Sequence, residues 1–162
     1  MTPFELTLRN EMDVEWQRFT NQWLFKWHNI NINGRVVDVE DFRGGNFHVG
    51  GIVFQGQIQQ LYWQAISRYL SNKIHNTFKQ WDEETRSYPT DLRQSSLDGT
   101  ERCLRQFVAK IIEHATDTDR RLRGKGYPQN IEPFNSRGYH SHANSEIHSL
   151  EHDPFQLNRI ML

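Results

Sequence analysis

The sequence predicts a mainly α-helical protein: a bundle of three long helices plus a short C-terminal helix, with a small β-hairpin or irregular loop between helices one and two. In three long segments, apolar residues recur at steps of three and four, as one face of an α-helix requires. Proline, glycine and asparagine concentrate between these segments, where turns are expected. The 162-residue chain also contains five tryptophans and ten phenylalanines, whose large side chains can form a core in an otherwise polar sequence.

The length fits a single helical domain over residues 1–162, in which residues 124–162 form a less regular C-terminal extension. No apolar run is long enough to cross a membrane, and the first residues lack the basic start and apolar core of a signal peptide. The single cysteine, Cys103, excludes an internal disulfide. We therefore expect a cytoplasmic protein. Because the net charge is −1, any contact with nucleic acid would have to be local.

Helix one is predicted over residues 3–29. Thr2 is suited to cap it, Pro3 fits the first helical position, and Glu5 completes a capping box. Apolar residues follow at helical steps: Phe4, Leu8, Met12, Trp16, Phe19, Trp23, Trp27 and Ile30. The tryptophans are expected to pack against the second long helix, with an exposed aromatic platform as the alternative. The first residues also alternate in polarity, which leaves a short strand as an alternative for them.

A hairpin or irregular loop is predicted after helix one. Asn33 and Gly34 form a turn signal, and residues 35–42 and 47–54 are rich in β-branched and aromatic side chains that suit two short strands. The glycine-bearing residues 43–51 precede a helix, so their backbone N–H groups are a candidate anion site. Turn formation is the preferred interpretation, because the spacing matches neither a Walker loop nor a dinucleotide fingerprint.

Helix two is predicted over residues 55–86 and is expected to be the central helix. Its apolar residues fall on two faces that point in different directions. The first face consists of Ile58, Leu61, Tyr62, Ala65 and Tyr69, and the second of Trp63, Leu70, Ile74, Phe78 and Trp81. A helix that is apolar over so wide an arc is usually covered by two layers. The alternative is that one face stays open and binds another protein.

Helix three is predicted over residues 96–123, with Ser95 or Ser96 as its cap and Gly124 at its end. A glycine- and proline-rich connector follows, and a shorter helix is predicted over residues 141–152. The apolar ending, residues 154–162, is expected either to dock on the core or to continue into a further part of the protein.

Half of the eight histidines fall between residues 140 and 152. A helix places His148 and His152, four residues apart, on one face, where both imidazoles can reach one ion. Imidazole together with carboxylate suits zinc, manganese, nickel or iron. The predicted metal ligands are His140, His142, Glu146, His148 and His152, with His114 of helix three as a further candidate. The alternative is a solvated polar helix, since no fixed metal motif is present.

Four basic residues gather at the end of helix three and in its exit loop: Arg120, Arg121, Arg123 and Lys125. Cations at a helix C-terminus complement the helix dipole, and Asp117 and Asp119 are close enough to pair with them. The alternative is an anion site for a phosphate, a nucleic acid or an acidic partner.

No catalytic signature is present in the sequence. The G-x-S-x-G elbow of serine hydrolases is missing, and Cys103 is predicted to lie on or near a buried helix face, where a thiolate is disfavoured. By elimination, we predict a non-enzymatic interaction or regulatory module that binds a protein partner or self-associates. The alternative is a metal-dependent hydrolase or nuclease that uses the histidine cluster to activate water and the arginines to hold an anionic substrate. Nucleic-acid binding through the basic helix end is the third candidate.

Overall fold

Four α-helices and one two-stranded sheet make up the part of the chain that the computed structural model describes, residues 1–20, 37–40, 46–49, 57–124 and 134–152. In chain order these are α1 (Pro3–Arg18), β1 (Val37–Glu40), β2 (Asn46–Val49), α2 (Gln57–Glu84), α3 (Thr90–Gly124) and α4 (Ser136–His152). The mainly α prediction is confirmed. The two strands pair antiparallel between α1 and α2, with Val37 opposite Val49 and Glu40 opposite Asn46.

The start of α1 follows the predicted Thr2 cap and Pro3 position, whereas the Glu5 side chain pairs with Arg9 and Arg102 and does not complete the predicted capping box. The Thr2 side chain accepts a hydrogen bond of 3.2 Å from the backbone N–H of Glu5, and Pro3 occupies the first helical position. Apolar side chains one turn apart are buried on a single face: Phe4, Leu8 and Met12. The predicted continuation of this helix through residues 21–29, with Trp23 and Trp27, lies outside the described residues.

From residue 63 onwards, helix α2 buries a wide arc of its surface, and the side chains of Ile58, Leu61 and Tyr62 from the first predicted face lie outside the described part. The buried side chains are Ala65, Ile66, Tyr69, Leu70, Ile74, Phe78 and Trp81. This arc is wide enough to contact both α3 and α4. Full burial of a side chain such as Phe78, which is 0% exposed, stabilises the fold by about 1.5–3 kcal/mol. From residue 63 to its end, the apolar side chains of α2 therefore serve the core.

Helix α3 is the element that packs extensively against all three other helices. The expectation that helix two holds the central position is therefore corrected. The reason lies in a continuous apolar stripe on α3 that is buried along the helix: Leu97, Leu104, Phe107, Val108, Ile111, Ile112 and Ala115. Buried apolar side chains from all four helices join this stripe in one hydrophobic cluster.

The predicted start of helix three was wrong, because α3 begins at Thr90 and not near residue 96. The carbonyl of Pro89 already accepts from the backbone N–H of Arg93 at 2.9 Å. Ser96 lies inside the helix, where its hydroxyl donates to the Arg93 carbonyl at 2.6 Å and accepts from Trp81 Nε1 at 2.9 Å. A serine of this kind resembles a cap in sequence, but here its hydroxyl joins two helices.

The short C-terminal helix exists, but it begins earlier than predicted, at Ser136. The side chain of Asn135 accepts from the backbone N–H of Gly138 at 2.9 Å and so caps the first turn. Gly138 and the surrounding glycine- and proline-rich sequence had indicated a connector here. The rest of that predicted connector, residues 125–133, and the apolar ending, residues 154–162, lie outside the described residues.

Candidate functional site

A groove of about 580 Å³ lies where α1, α3 and α4 meet. Among the described residues, the side chains that give it chemical character are Trp16 from α1, Lys110, Glu113, Asp117 and Arg120 from α3, and Ser136 and His140 from α4. We call this site the α1/α3/α4 groove. Its volume falls within the range of about 300–1,000 Å³ that is usual for ligand pockets.

Helical spacing explains why these side chains face the same space. The four α3 residues follow one another at steps of three or four, which places them on one side of the helix. Ser136 and His140 are also four residues apart, in the first turns of α4. Trp16 lies near the end of α1, and its ring meets the imidazole of His114 edge-on, with the ring centroids 5.4 Å apart.

The charged groups of the groove are mostly open to solvent. The Arg120 side chain is 77% exposed, and its Nη1 atom lies 3.9 Å from Asp117 Oδ1. The Lys110 ammonium lies 5.8 Å from the centre of the Trp16 ring, a cation–π contact. Two cations and two carboxylates thus share the lining with two histidines, His114 and His140, and the first turn of a helix.

The predicted anion-binding residues do not all share one environment. Arg120 faces the α1/α3/α4 groove. Arg123 lies on another side, where its Nε atom donates to Asp119 Oδ2 at 2.9 Å and the side chain is only 15% exposed. The same carboxylate oxygen accepts from the backbone N–H of Phe134 at 3.3 Å, so this pair ties the end of α3 to the start of α4. The Arg121 side chain and Lys125 lie outside the described part.

The five predicted metal ligands are divided among three places. His140 lines the groove. His142 Nε2 lies 2.6 Å from Glu146 Oε1 on the side of α4 that faces α2. His148 and His152 form a separate pair, with ring centroids 4.3 Å apart. Within the described residues, no three histidine, cysteine, aspartate or glutamate side chains are arranged to hold one metal ion. Metal binding stays a prediction.

Sequence reasoning missed the partners of Glu146 on α2. The Ser71 hydroxyl donates to Glu146 Oε2 at 3.0 Å, and His75 Nδ1 lies 3.7 Å from the same oxygen. His75 Nδ1 is also 2.7 Å from the backbone carbonyl of Ser71, the geometry of a donated hydrogen bond. No sequence pattern indicated this contact, because it depends on how α4 lies against α2. The cluster contributes polar contacts to the α2–α4 interface.

A second polar contact joins α3 to α4 through two carboxyl groups. Partial burial raises the pKa of Glu151 to about 7, and a hydrogen bond with Glu101 and the nearby Asp98 charge add to that rise. Although partial burial alone raises the pKa of Glu101, hydrogen bonds with Arg105 and Glu151 lower it below its ordinary value. The proton of this hydrogen bond therefore belongs to Glu151 and is lost as the pH rises through about 7, while Glu101 is already ionised.

Cys103 lies away from the groove lining, against the core. The side chain is 3% exposed, as its position in the apolar stripe predicted. Burial raises the pKa of its thiol above the ordinary value, although the nearby Arg9 guanidinium acts in the opposite direction. A thiol in this environment is a poor nucleophile near neutral pH.

No known protein family matches the chain, and neither a curated protein nor a solved structure is significantly similar to it. Among the helices in the described ranges, none combines the length and the apolar character that a membrane span requires.

Proposed function

We propose that the protein is a non-enzymatic binding module in which a protein partner docks a short segment into the α1/α3/α4 groove. The observation that carries the proposal is the convergence of three helices around a cavity of about 580 Å³ that presents Trp16, exposed charges and the first turn of α4. Tryptophan and arginine are enriched at interaction hot spots. The groove also joins Arg120 and His140, which belong to two different candidate sites in the sequence.

Other surfaces of the described part offer less to a partner. The apolar arc of α2 is used by the core. Leu6 and Val14 on α1 are 54% and 68% exposed, but single exposed apolar residues are ordinary on a protein surface. The groove is distinguished from them because it is concave and carries directional hydrogen-bonding groups, which give a partner both shape and orientation.

Two nucleophile candidates among the described residues, Thr116 in the groove and Cys103 away from it, are poorly disposed for catalysis and so favour a binding role. The hydroxyl of Thr116 donates to the backbone carbonyl of Ile112 at 2.8 Å, so it is engaged within its own helix. The Cys103 thiol is buried, and its pKa is raised. We keep the cytoplasmic location that the sequence predicted, and self-association is the alternative use of the same groove.

A selection of random linear peptides on the purified protein tests the proposal. We expect micromolar binders whose affinity falls at least tenfold on a Thr116→Trp variant, because the indole fills the groove. Glu113→Trp on the exposed rim is a second groove-filling variant, in case the first does not fold. Thr7→Trp is the matched control: Thr7 is exposed on α1, on the side away from Trp16.

Each variant is first checked by circular dichroism and thermal melting. Peptides that bind the wild type and Thr7→Trp equally but lose affinity for a folded groove-filling variant support the proposal. A selection that yields no peptide sensitive to either groove-filling variant contradicts it.

A further inference from the structure

The lining of the α1/α3/α4 groove specifies the chemistry of the group that it receives. We infer that this group is a carboxylate carried by the partner, from an acidic side chain or from a chain terminus. The inference rests on the proposed function, because it names what the docked segment must present. Its basis is the juxtaposition of Arg120, Lys110 and the first turn of α4 around one cavity.

Arg120 is the group best placed to bind an oxyanion. Its side chain is 77% exposed, and among the described residues its ion pair is with Asp117 at 3.9 Å, a long and weak contact. A guanidinium carries five N–H donors in a planar fork. Two of them match the two oxygens of a carboxylate in a bidentate pair. Most of the donors of Arg120 therefore remain available to a ligand.

Two further features add positive potential to the same space. Lys110 brings an ammonium with three donors, held near the Trp16 ring at 5.8 Å from its centre. Ser136, the first residue of α4, lines the groove. The N-terminal end of a helix carries a partial positive charge, and its effect falls off within the first turn. A carboxylate in the groove would lie within reach of both helices.

The two carboxylates in the lining limit the negative charge of the ligand that the groove can bind. Lys110 and Arg120 balance Glu113 and Asp117, so the formal charge of these four side chains is zero. Because these four charges cancel, the second negative charge of a dianionic phosphate gains little net Coulomb energy from them, whereas the cost of removing the ligand from water grows with its charge. A cationic ligand would compete with Lys110 for the Trp16 ring. A single negative charge with two oxygens fits best.

The test is a nuclear magnetic resonance titration of the folded, isotope-labelled protein with four blocked amino acids. Acetyl-glutamate amide presents a side-chain carboxylate, and acetyl-alanine presents a terminal carboxylate. Acetyl-glutamine amide is the neutral control, and acetyl-phosphoserine amide presents the phosphate. We expect saturable shifts at groove residues with at least one of the two carboxylates, none with the glutamine compound, and weaker binding of the phosphate. Whichever of acetyl-glutamate amide and acetyl-alanine binds more strongly identifies the source of the carboxylate.

Arg120→Gln is expected to weaken carboxylate binding about tenfold or more, as the loss of a charge-assisted hydrogen bond predicts. Arg86→Gln is the matched control, because Arg86 is also an exposed arginine, 67% exposed, paired with an aspartate one helical turn away. That control is expected to leave binding unchanged. Thermal melting confirms that both variants are folded.

Equal binding of the glutamine compound, tighter binding of phosphoserine, or an unchanged affinity in folded Arg120→Gln would each overturn the inference. These outcomes are separable from a failure of the proposed function. Groove-dependent peptides without any acidic group would support the binding module and contradict the carboxylate inference. If a carboxylate binds in the groove but no selected peptide depends on the groove, the carboxylate inference stands and the proposed binding module is contradicted.

Discussion

Two groups of polar residues on α3 lie in contrasting environments. Towards the N-terminal end, Ser96 contacts the buried Trp81 of α2 and Arg102 contacts the buried Glu5 of α1. Towards the C-terminal end, Lys110 and Arg120 extend into the solvent of an open groove. Both halves belong to one continuous helix with one apolar stripe. The difference therefore comes from the elements that pack against α3 outside that stripe.

In the buried half, Glu5 of α1 shows how completely the charges are compensated. It is 3% exposed. Arg9 Nη2 lies 3.2 Å from its carboxylate, and Arg102 Nη2 of α3 lies 3.4 Å from it. A buried charge is tolerated only with such partners. Close approach of the helices makes this network possible, because Gly99 has no side chain to separate them.

In the open half, the charges that line the groove have little structural work to do, in contrast to the buried Asp119–Arg123 pair on another side of the helix. Among the described residues, the ion pair of Arg120 is the long contact with Asp117, and exposed pairs of this kind contribute at most about 1 kcal/mol to folding. The comparison therefore separates two kinds of polar residue on the same helix. Those with short, buried contacts explain the fold, and those exposed around a cavity are the candidates for function.

The largest expected effect tests whether the core continues beneath the groove. Ile111 lies in the open half of α3 but is 0% exposed. Ile111→Ala is expected to lower the free energy of unfolding by about 2–5 kcal/mol, because it removes buried surface and leaves a cavity. Chemical denaturation measures this change.

The control for Ile111 is Val14→Ala, since Val14 is 68% exposed; its effect is expected to stay within about 0.5 kcal/mol. An Ile111→Ala variant that loses no more than the Val14→Ala variant would show that the open half lacks a packed core.

The second prediction concerns the close approach in the buried half. A Cβ atom on Gly99 would lie 2.5 Å from Glu5 Oε2 and 3.0 Å from Glu5 Cγ. Gly99→Ala is expected to destabilise the protein by about 1–3 kcal/mol, which outweighs the gain of about 1 kcal/mol that alanine normally brings to a helix. Denaturation of Gly99→Ala, Glu5→Ala and the double variant should show non-additivity, because removal of the Glu5 carboxylate relieves the contact.

Gly138→Ala is the matched control in α4. Its added Cβ would meet the side-chain nitrogen of Asn135 at 2.7 Å. That side chain is exposed and can turn away, which gives up its cap on the Gly138 N–H at a cost of about 1 kcal/mol. This cost is similar to the gain of about 1 kcal/mol that alanine brings to a helix, so the expected net change stays within about 1 kcal/mol. If Gly99→Ala and Gly138→Ala lose the same free energy of unfolding, the helices around Gly99 are not packed more tightly than the exposed start of α4.

Local patterns in the sequence were sufficient to predict the helices. Periodic apolar residues located the three long helices, and a threonine–proline pair located the start of α1. The start of α3 was missed because the hydroxyl of Ser96 has two uses that look alike in sequence, a helix cap and a buried contact with Trp81. Local chemistry cannot distinguish them without knowledge of which helix lies opposite.

The site was predictable only in fragments. Arg120 and His140 were both candidates, but for different chemistries. Nothing in the sequence indicated that they share a groove with Trp16, because these residues come from three separate helices. The same holds for Glu146 and His75, which meet only through the packing of α4 against α2. Side chains far apart in sequence form a site only through tertiary packing, which periodicity does not encode.

The smallest expected effect concerns the Glu151 proton that joins α4 to α3. The pKa of Glu151 is raised from 4.5 to about 7 by partial burial and by its contact with Glu101. A raised pKa in the folded state means that the stabilisation is complete below the ordinary value and is lost as pH rises through the folded value. Glu101, whose pKa is lowered, loses its contribution only at more acidic pH. As the pH rises from about 5 to 8, the Glu101–Glu151 contact therefore contributes less to the free energy of unfolding.

Glu151→Gln keeps a neutral hydrogen-bonding group in place at every pH. Relative to the wild type, the variant is expected to gain stability from pH 5 to pH 8 by less than about 1 kcal/mol, because both carboxyls are partly exposed and solvent screens them. Urea unfolding at four pH values measures the difference, and the comparison with the wild type cancels the titration of the histidines. Glu83→Gln, a change at an exposed site on α2, should keep the wild-type slope. A constant difference between Glu151→Gln and the wild type from pH 5 to 8 would show that no such proton joins Glu151 to Glu101, and that α4 is held to α3 by pH-independent contacts.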